Sequence, residues 1–488
     1  MTEREMKYSQ GVLVTGSFEE GHFHQGILAL NQLRMPGITP SPEHIRLLLY
    51  IAMYPEPSPE DPLKEQERQK KLDAMSPTKQ IEEYNRELEI EATIPSMEAT
   101  KAARDLLYLY TTDSISPEAI LRAVPCYQLS ETEIRNSPRL VNEGSLYWDE
   151  KEAKDMESWA AKDAKKLTQC KDCWSMLRPE VIKRRDAHKP LKKMTTFDDL
   201  RDDEIGLIST DIIAKDSWHV LYCLVLFFEK DEELANKSRQ GNGYSIFLLS
   251  QFKPINSSSG MIRSDPAPAV EIVFLCYQQS ENWKRQIGRK LLILLISLTS
   301  AQTFHSPALM DAISTRLLEC PHDVVVSILT DIPCHPRARA AKISICEQYL
   351  AKNLRVTTEI MTRARPQPRG QRRDQIDTSV SPFSWSLPSS KRILGFIEPS
   401  SNLRSIQSPN LGTIFYVLFH LLITFGTFIK ATSDTDPYWS EALHNGQLEQ
   451  LIEETFTDKH LSSEESKVVK SYNYLLSKII TNWKQNLP

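Results

Sequence analysis

Apolar residues recur along this chain at helical rather than alternating spacing. ATKAARDLLYLY places Ala99, Ala102, Ala103, Leu106, Leu107 and Tyr110 on one stripe. Upstream, SPEHIRLLLYIAMYP offers Ser41 as a cap, Pro42 for the first turn and Glu43 at the positive end, with Pro55 as a stop. The run from Ile45 to Met53 is almost unbroken, which predicts a helix covered on more than one side. The Ser–Pro–Glu start returns at 116–118, SETE at 130–133 has capping-box spacing, and Met156, Trp159, Ala160 and Leu167 line one side of a charged helix. Near the end of the chain, SSEESKVVKSYNYLLSKIITNWKQ opens with Ser462 and Glu465 at capping-box spacing. Its Val468, Tyr472, Leu475, Leu476, Ile479 and Trp483 form a stripe expected to pack on the rest of the chain.

The middle of the chain is denser. Residues 216–228, 244–252, 269–277 and 287–298 are strongly apolar. The first and last are long enough to prefer helix, whereas strands are open to the two middle runs, which are short and rich in Val, Ile and Phe. Short helices punctuated by proline then resume over 306–360. No fixed period emerges. The pattern predicts an all-α protein, an irregular α-helical array of the HEAT-like or α-α superhelix kind, with disordered loops and a few minor strands at most.

The expected segments are N-terminal helices (1–54), a charged, proline-rich loop (55–95), a helical region (96–195), a central helical core (196–360), a linker rich in Arg, Pro and Ser (361–410), and C-terminal helices (411–488) packing on the core. Leu411 to Ile429 is the most apolar stretch, nineteen residues without Asp, Glu, Lys or Arg, about the length a bilayer requires. Arg404, Arg392 and Lys391 lie upstream, as a cytoplasmic N-terminal side would demand. Against a span stand His420 at the midpoint, three threonines and two glycines, and the heavily apolar runs elsewhere in the chain. A core helix is the favoured expectation, a single membrane span at 411–429 the alternative.

Composition adds little to the fold and more to the class. The 488 residues are 40% hydrophobic and 25% charged, enough to bury a core. Twenty-nine prolines against sixteen glycines fit many short helices better than hairpins. The formal charge of −5 hides an asymmetry: 25 acidic against 15 basic residues over 1–150, a difference of −10, and 5 against 13 over 337–410, a difference of +8. The start of the sequence, MTEREMKYSQ, has no apolar signal core, and eight scattered cysteines suit a reducing compartment, nucleus or cytoplasm.

Candidate chemistry is sparse. Cys170 and Cys173 have the spacing of half a zinc site but lack a second pair. Cys320, His322, Cys334 and His335 fall within sixteen residues, yet an ordinary apolar helix separates the two halves. GNGYS at 241–245 has the glycines of a nucleophile elbow at the wrong spacing, and the carboxylates of TTFDDLRDDEIG lack the glycine and alternation of a calcium loop. No phosphate loop, dinucleotide fingerprint or zinc-protease motif occurs. No catalytic residue, metal or cofactor is expected. Arg363, Arg365, Arg369, Arg372 and Arg373 form a candidate import signal or a contact for phosphates, including a nucleic-acid backbone, or for an acidic protein. Ser76, in Ser-Pro-Thr-Lys, is a candidate phosphorylation site. The expected function is a non-enzymatic helical scaffold or adaptor subunit of an intracellular multiprotein complex, in the nucleus or the cytoplasm, whose partners are other proteins. The alternatives are a membrane-anchored protein and an enzyme or zinc protein with an unfamiliar site.

Overall fold

The computed structural model of the chain describes residues 4–34, 38–56, 70, 73–92, 94–112, 117–127, 159–183, 212–237, 243–256, 262–301, 303–354, 387–398, 411–432, 436–456 and 463–485. It is an all-α, irregular helical array with almost no strand. Two compact units divide it, Met1–Pro254 and Ile255–Pro488. The expected central core, 196–360, is therefore cut between them: hydropathy alone does not reveal which of two cores an apolar run joins.

The first unit contains α1 (Tyr8–Glu19), α2 (Phe23–Arg34), α3 (Pro42–Ala52), α4 (Pro77–Ala92), α5 (Met97–Thr112), α6 (Pro117–Leu121), α7 (Trp159–Lys165), α8 (Cys173–Met176), α9 (Trp218–Lys237) and α10 (Ile246–Leu249). Two-residue strands Arg4–Glu5 and Ile38–Thr39 pair in parallel. The Ser41 side chain caps α3, with Pro42 in its first turn, and every residue from His44 to Tyr54 is buried. Around it pack α5, through Ala99, Ala103, Leu106, Leu107 and Tyr110, and α7. Arg104 joins three elements: its Nε donates to the Ala52 carbonyl at 2.8 Å, and one terminal nitrogen meets the Asp216 carboxylate at 3.2 Å. The Lys230 ammonium, on α9, donates to the Tyr110 and Thr111 carbonyls at the end of α5. Buried Asp231 accepts from Ser245 Oγ at 2.8 Å and from the Phe247 amide, which anchors the start of α10.

The second unit contains α11 (Ala267–Tyr277), α12 (Asn282–Leu298), α13 (Ser306–Leu318), α14 (His322–Asp331), α15 (Pro336–Asn353), α16 (Ser390–Gly395), α17 (Leu411–Thr432), α18 (Pro437–His444), α19 (Gln447–Thr455) and α20 (Ser463–Gln485). Helices α11 and α12 form a hairpin so close that a Cβ on Gly288 would lie 2.7 Å from Cys276 Cβ and 3.1 Å from the Val273 carbonyl oxygen. α15 packs on α13 and α17, and α17 also meets α14 and α20.

Four local expectations are corrected. The runs at 244–252 and 269–277, open to strand, hold α10 and α11: Ser245 caps the first, and Pro268 sits in the first turn of the second. Within the expected loop 55–95 stands α4, started by Ser76-Pro77 and built from good helix formers. Within the expected linker 361–410 stands α16, capped by Ser389, whose Ile393 and Leu394 are buried. The fourth concerns α20. Its covered face carries Val469, Leu476, Ile480 and Trp483, whereas Val468 and Leu475 are 47% and 45% exposed. The capping signals at 130–133 and at Ser462, and Met156, lie outside the described residues.

Candidate functional site

Ser76 is exposed at the start of α4, its carbonyl accepting from the Gln80 amide at 3.0 Å. Arg363, Arg365, Arg369, Arg372 and Arg373, and the acidic cluster at 198–204, lie outside the described residues.

The sulfur and imidazole groups have structural surroundings. Cys173 is fully buried, and burial and the Asp172 carboxylate raise its thiol well above the ordinary range; burial and the same carboxylate push Cys170 up to about 11. Both shifts favour the thiol over the thiolate that a metal requires. His322 Nδ1 lies 2.9 Å from Thr413 Oγ1, tying α14 to α17, and His335 Nδ1 accepts from the Ala338 amide as the cap of α15. Ser245 caps α10 and donates to Asp231. Among the described residues, no group of three or more His, Cys, Asp or Glu is placed to hold a metal ion.

A cavity of about 580 Å³ lies between α13, α15 and the α16 segment, lined by Met310, Ser344, Glu347, Gln348, Leu387 and Arg392 among others. Glu347 pairs with Arg392. Burial pushes its carboxyl up, and the guanidinium opposes that rise. The pair closes the polar side of the cavity on itself.

α17, the helix of the nineteen uncharged residues, is long and apolar enough to cross a membrane by length and composition, with a mean hydropathy of 1.8 over its best window. Within the unit 72% of that window is buried. Phe415 meets Phe456, Phe425 meets Trp439, and Gly426 lies under the Trp483 ring. His420, the residue that argued against a span, stands beside Tyr416, their ring centroids 4.4 Å apart. Burial and then the charge of Lys342 on α15 lower its pKa to about 3, so the ring stays neutral.

α17 and α20 run in the same direction, because Phe419 stacks on Tyr472 at 4.7 Å while Gly426 meets Trp483 further along both. Together they form a corner. Its floor is the half-buried Phe419 and Ile423 of α17, and its angle holds the half-buried Tyr472 and Ile479 of α20. Val468 and Leu475 stand further round α20 on the same flank, about 100° per residue placing them roughly a quarter turn from Leu476. These six side chains make an apolar strip along a two-helix surface. Lys467 and Lys478 flank it on α20. Lys342 lies on the other side of α17, beside His420, and burial lowers its pKa. Among the described residues no carboxylate pairs with Lys342, Lys467 or Lys478; the Lys478 ammonium stands over the Tyr474 ring, 5.6 Å from its centroid.

Sequence reasoning assigned Val468, Tyr472, Leu475, Leu476, Ile479 and Trp483 of α20 to packing and left out Val469 and Ile480, which are buried. It missed the division between covered and open members, and Lys342. The legible signal was the width of the arc: Val468 and Val469, then Leu475 and Leu476, then Ile479 and Ile480 are adjacent pairs, more than one neighbouring helix covers. Comparison of the chain with protein-family models, with curated proteins and with solved structures finds no match in any of the three.

Proposed function

We propose that this chain is a non-enzymatic helical scaffold or adaptor subunit of an intracellular, nuclear assembly that works through protein–protein contacts. The observation that carries the reading is the apolar strip along α17 and α20, with Val468 and Leu475 about half exposed beside the buried row of Val469, Leu476, Ile480 and Trp483. Contiguous exposed apolar surface of this kind marks interaction sites. Eight unpaired cysteines support a reducing compartment, and the five arginines from Arg363 to Arg373 are the proposed import signal. Ser76 is the proposed phosphorylation site: a phosphate there meets the positive end of α4.

Affinity capture of the full chain after cross-linking tests the scaffold reading. Stoichiometric partner proteins linked to its surface lysines support it; a chain recovered alone refutes it. Replacing the five arginines by alanine is expected to exclude a fluorescent fusion from the nucleus.

The second reading, a membrane anchor, is favoured by the length and hydropathy of α17 and by Arg404, Arg392 and Lys391 upstream of it. Carbonate extraction separates the two. Release into the supernatant supports the core helix, and retention in the pellet supports the span.

A further inference from the structure

We propose that the corner between α17 and α20 is a docking groove for an acidic amphipathic helix of a partner protein. The proposal rests on the scaffold reading and names the partner's chemistry.

Shape comes first. Val468, Tyr472, Leu475 and Ile479 recur at steps of four, three and four residues, the spacing at which one helix presents a straight row to another. Phe419 and Ile423 extend the row into a floor one helix wide. A row on a wall beside a row on a floor accepts the apolar face of a helix laid parallel to both. Tyr472 and Phe419 at its centre are rigid, large side chains of the type that anchors interfaces.

Charge then selects the occupant. α20 has Glu464 and Glu465 in its first turn and, from Ser466 to Gln485, Lys467, Lys470, Lys478 and Lys484 with no further acidic residue. Lys484 is neutralised by Glu449. Lys467 and Lys478 have no carboxylate partner among the described residues, and neither does half-buried Lys342 on the opposite side of α17. Ammonium groups on both sides of an apolar row favour glutamate or aspartate beside the apolar positions of the incoming helix and disfavour a basic one. A second copy of α20 brings its own lysines to this row, which argues against self-pairing.

The test uses the full-length protein and a phage-displayed library of helical peptides, with apolar residues fixed at i, i+3, i+4 and i+7 and the flanking positions random. The expected winners are net acidic, and a labelled winner loses at least roughly tenfold in affinity to V468E/L475E protein whose circular dichroism matches the parent. K467E/K478E should shift the selected peptides toward basic flanks, a change that a merely structural role for these lysines would not produce. Neutral or basic winners from the parent protein, no winners, or binding indifferent to V468E/L475E would overturn the proposal. So would vesicles of equimolar phosphatidylcholine and phosphatidylserine that bind the protein with the same V468E/L475E sensitivity while peptides do not, or a parent dimer that V468E/L475E converts to monomer. Stoichiometric cross-linked partners with no selected peptide would sink the groove and leave the scaffold reading standing; absence of any partner would sink the scaffold reading itself.

Discussion

Gly426 is where the docking of α20 on α17 can be tested most sharply. A Cβ at this position would lie 2.6 Å from Trp483 Cζ3 and 2.7 Å from Cζ2, distances that real Cβ atoms do not tolerate. The indole cannot easily swing away, since it is only 8% exposed and lies against Trp439, which in turn meets Phe425. Overpacking of this kind costs about 1–3 kcal/mol. With three ring atoms inside the clash distance and the indole held, the upper half of that range applies, about 2–3 kcal/mol; alanine gains about 1 kcal/mol over glycine inside a helix, so the net loss for Gly426→Ala is about 1–2 kcal/mol. Trp483→Ala alone should cost about 3–5 kcal/mol. With the ring gone, Gly426→Ala keeps only the propensity gain and becomes stabilising by up to about 1 kcal/mol, a reversal of sign that a double-mutant cycle reads directly.

The assay is urea unfolding followed by far-UV circular dichroism and fitted with separate transitions for the two units, because one transition is not guaranteed for such a chain. Hydrogen exchange of the α20 amides assigns the affected transition. For an m-value of about 2 kcal/mol/M, Gly426→Ala should lower the midpoint by roughly 0.5 M in the parent and raise it in Trp483→Ala. A neutral or stabilising effect in the parent would mean that Trp483 does not cover Gly426. The face that α20 turns outward would then be misassigned, and the groove with it.

Three further outcomes follow from the same structure. His44 is buried between Thr15 Oγ1 at 3.0 Å and Ser41 Oγ at 2.8 Å, and burial lowers its pKa from 6.5 to about 4, against the smaller raising effect of Glu43. The unfolded chain binds the proton first, so stability is complete above about pH 6.5 and falls by an amount of order 3 kcal/mol as the pH drops to about 4; His44→Gln should flatten that slope in urea titrations at pH 7.5 and 4.5. Arg104→Leu leaves the Ala52 carbonyl and the Asp216 carboxylate without their guanidinium, and should destabilise the first unit by about 2–4 kcal/mol in the same unfolding assay, with Arg104→Lys recovering only part. Gly288→Ala sets a methyl against Cys276 Cβ and the Val273 carbonyl; overpacking of about 1–3 kcal/mol less about 1 kcal/mol of helix propensity should cost the second unit up to about 2 kcal/mol. Unlike the Gly426 case, Cys276→Ala should give no rescue, because the clashing Cβ remains.

Much of the local structure was legible because it depends on nearest neighbours in sequence. Ser41-Pro42 starts α3 through a side-chain cap and a pre-set φ, and the alanine–leucine stripe of α5 turns inward at Ala99, Ala103, Leu106, Leu107 and Tyr110 as its period requires. The almost unbroken run after Ile45 meant cover on more than one side, and α3 is buried from His44 to its end. What these signals left open were short elements whose helix or strand state depends on a cap and a covering surface. Ser245, held by the Asp231 carboxylate fourteen residues earlier, makes 246–249 a helix turn, and contact with buried neighbours makes a helix of 390–395 inside a basic segment.

The amino-acid order by itself determined that α20 is a helix with an apolar arc wider than one stripe, since that arc is a matter of residue type and a 3.6-residue period. Only the tertiary structure decided which part of the arc is core and which is surface. Trp483 seats over Gly426, and this rotates Val469, Leu476 and Ile480 inward and leaves Val468 and Leu475 in the open. The packing of α15 on α17 brought Lys342, 78 residues before His420 in sequence, beside that ring. A helical period records angles around one axis; it contains no information on how many neighbours stand around that axis or where they stop.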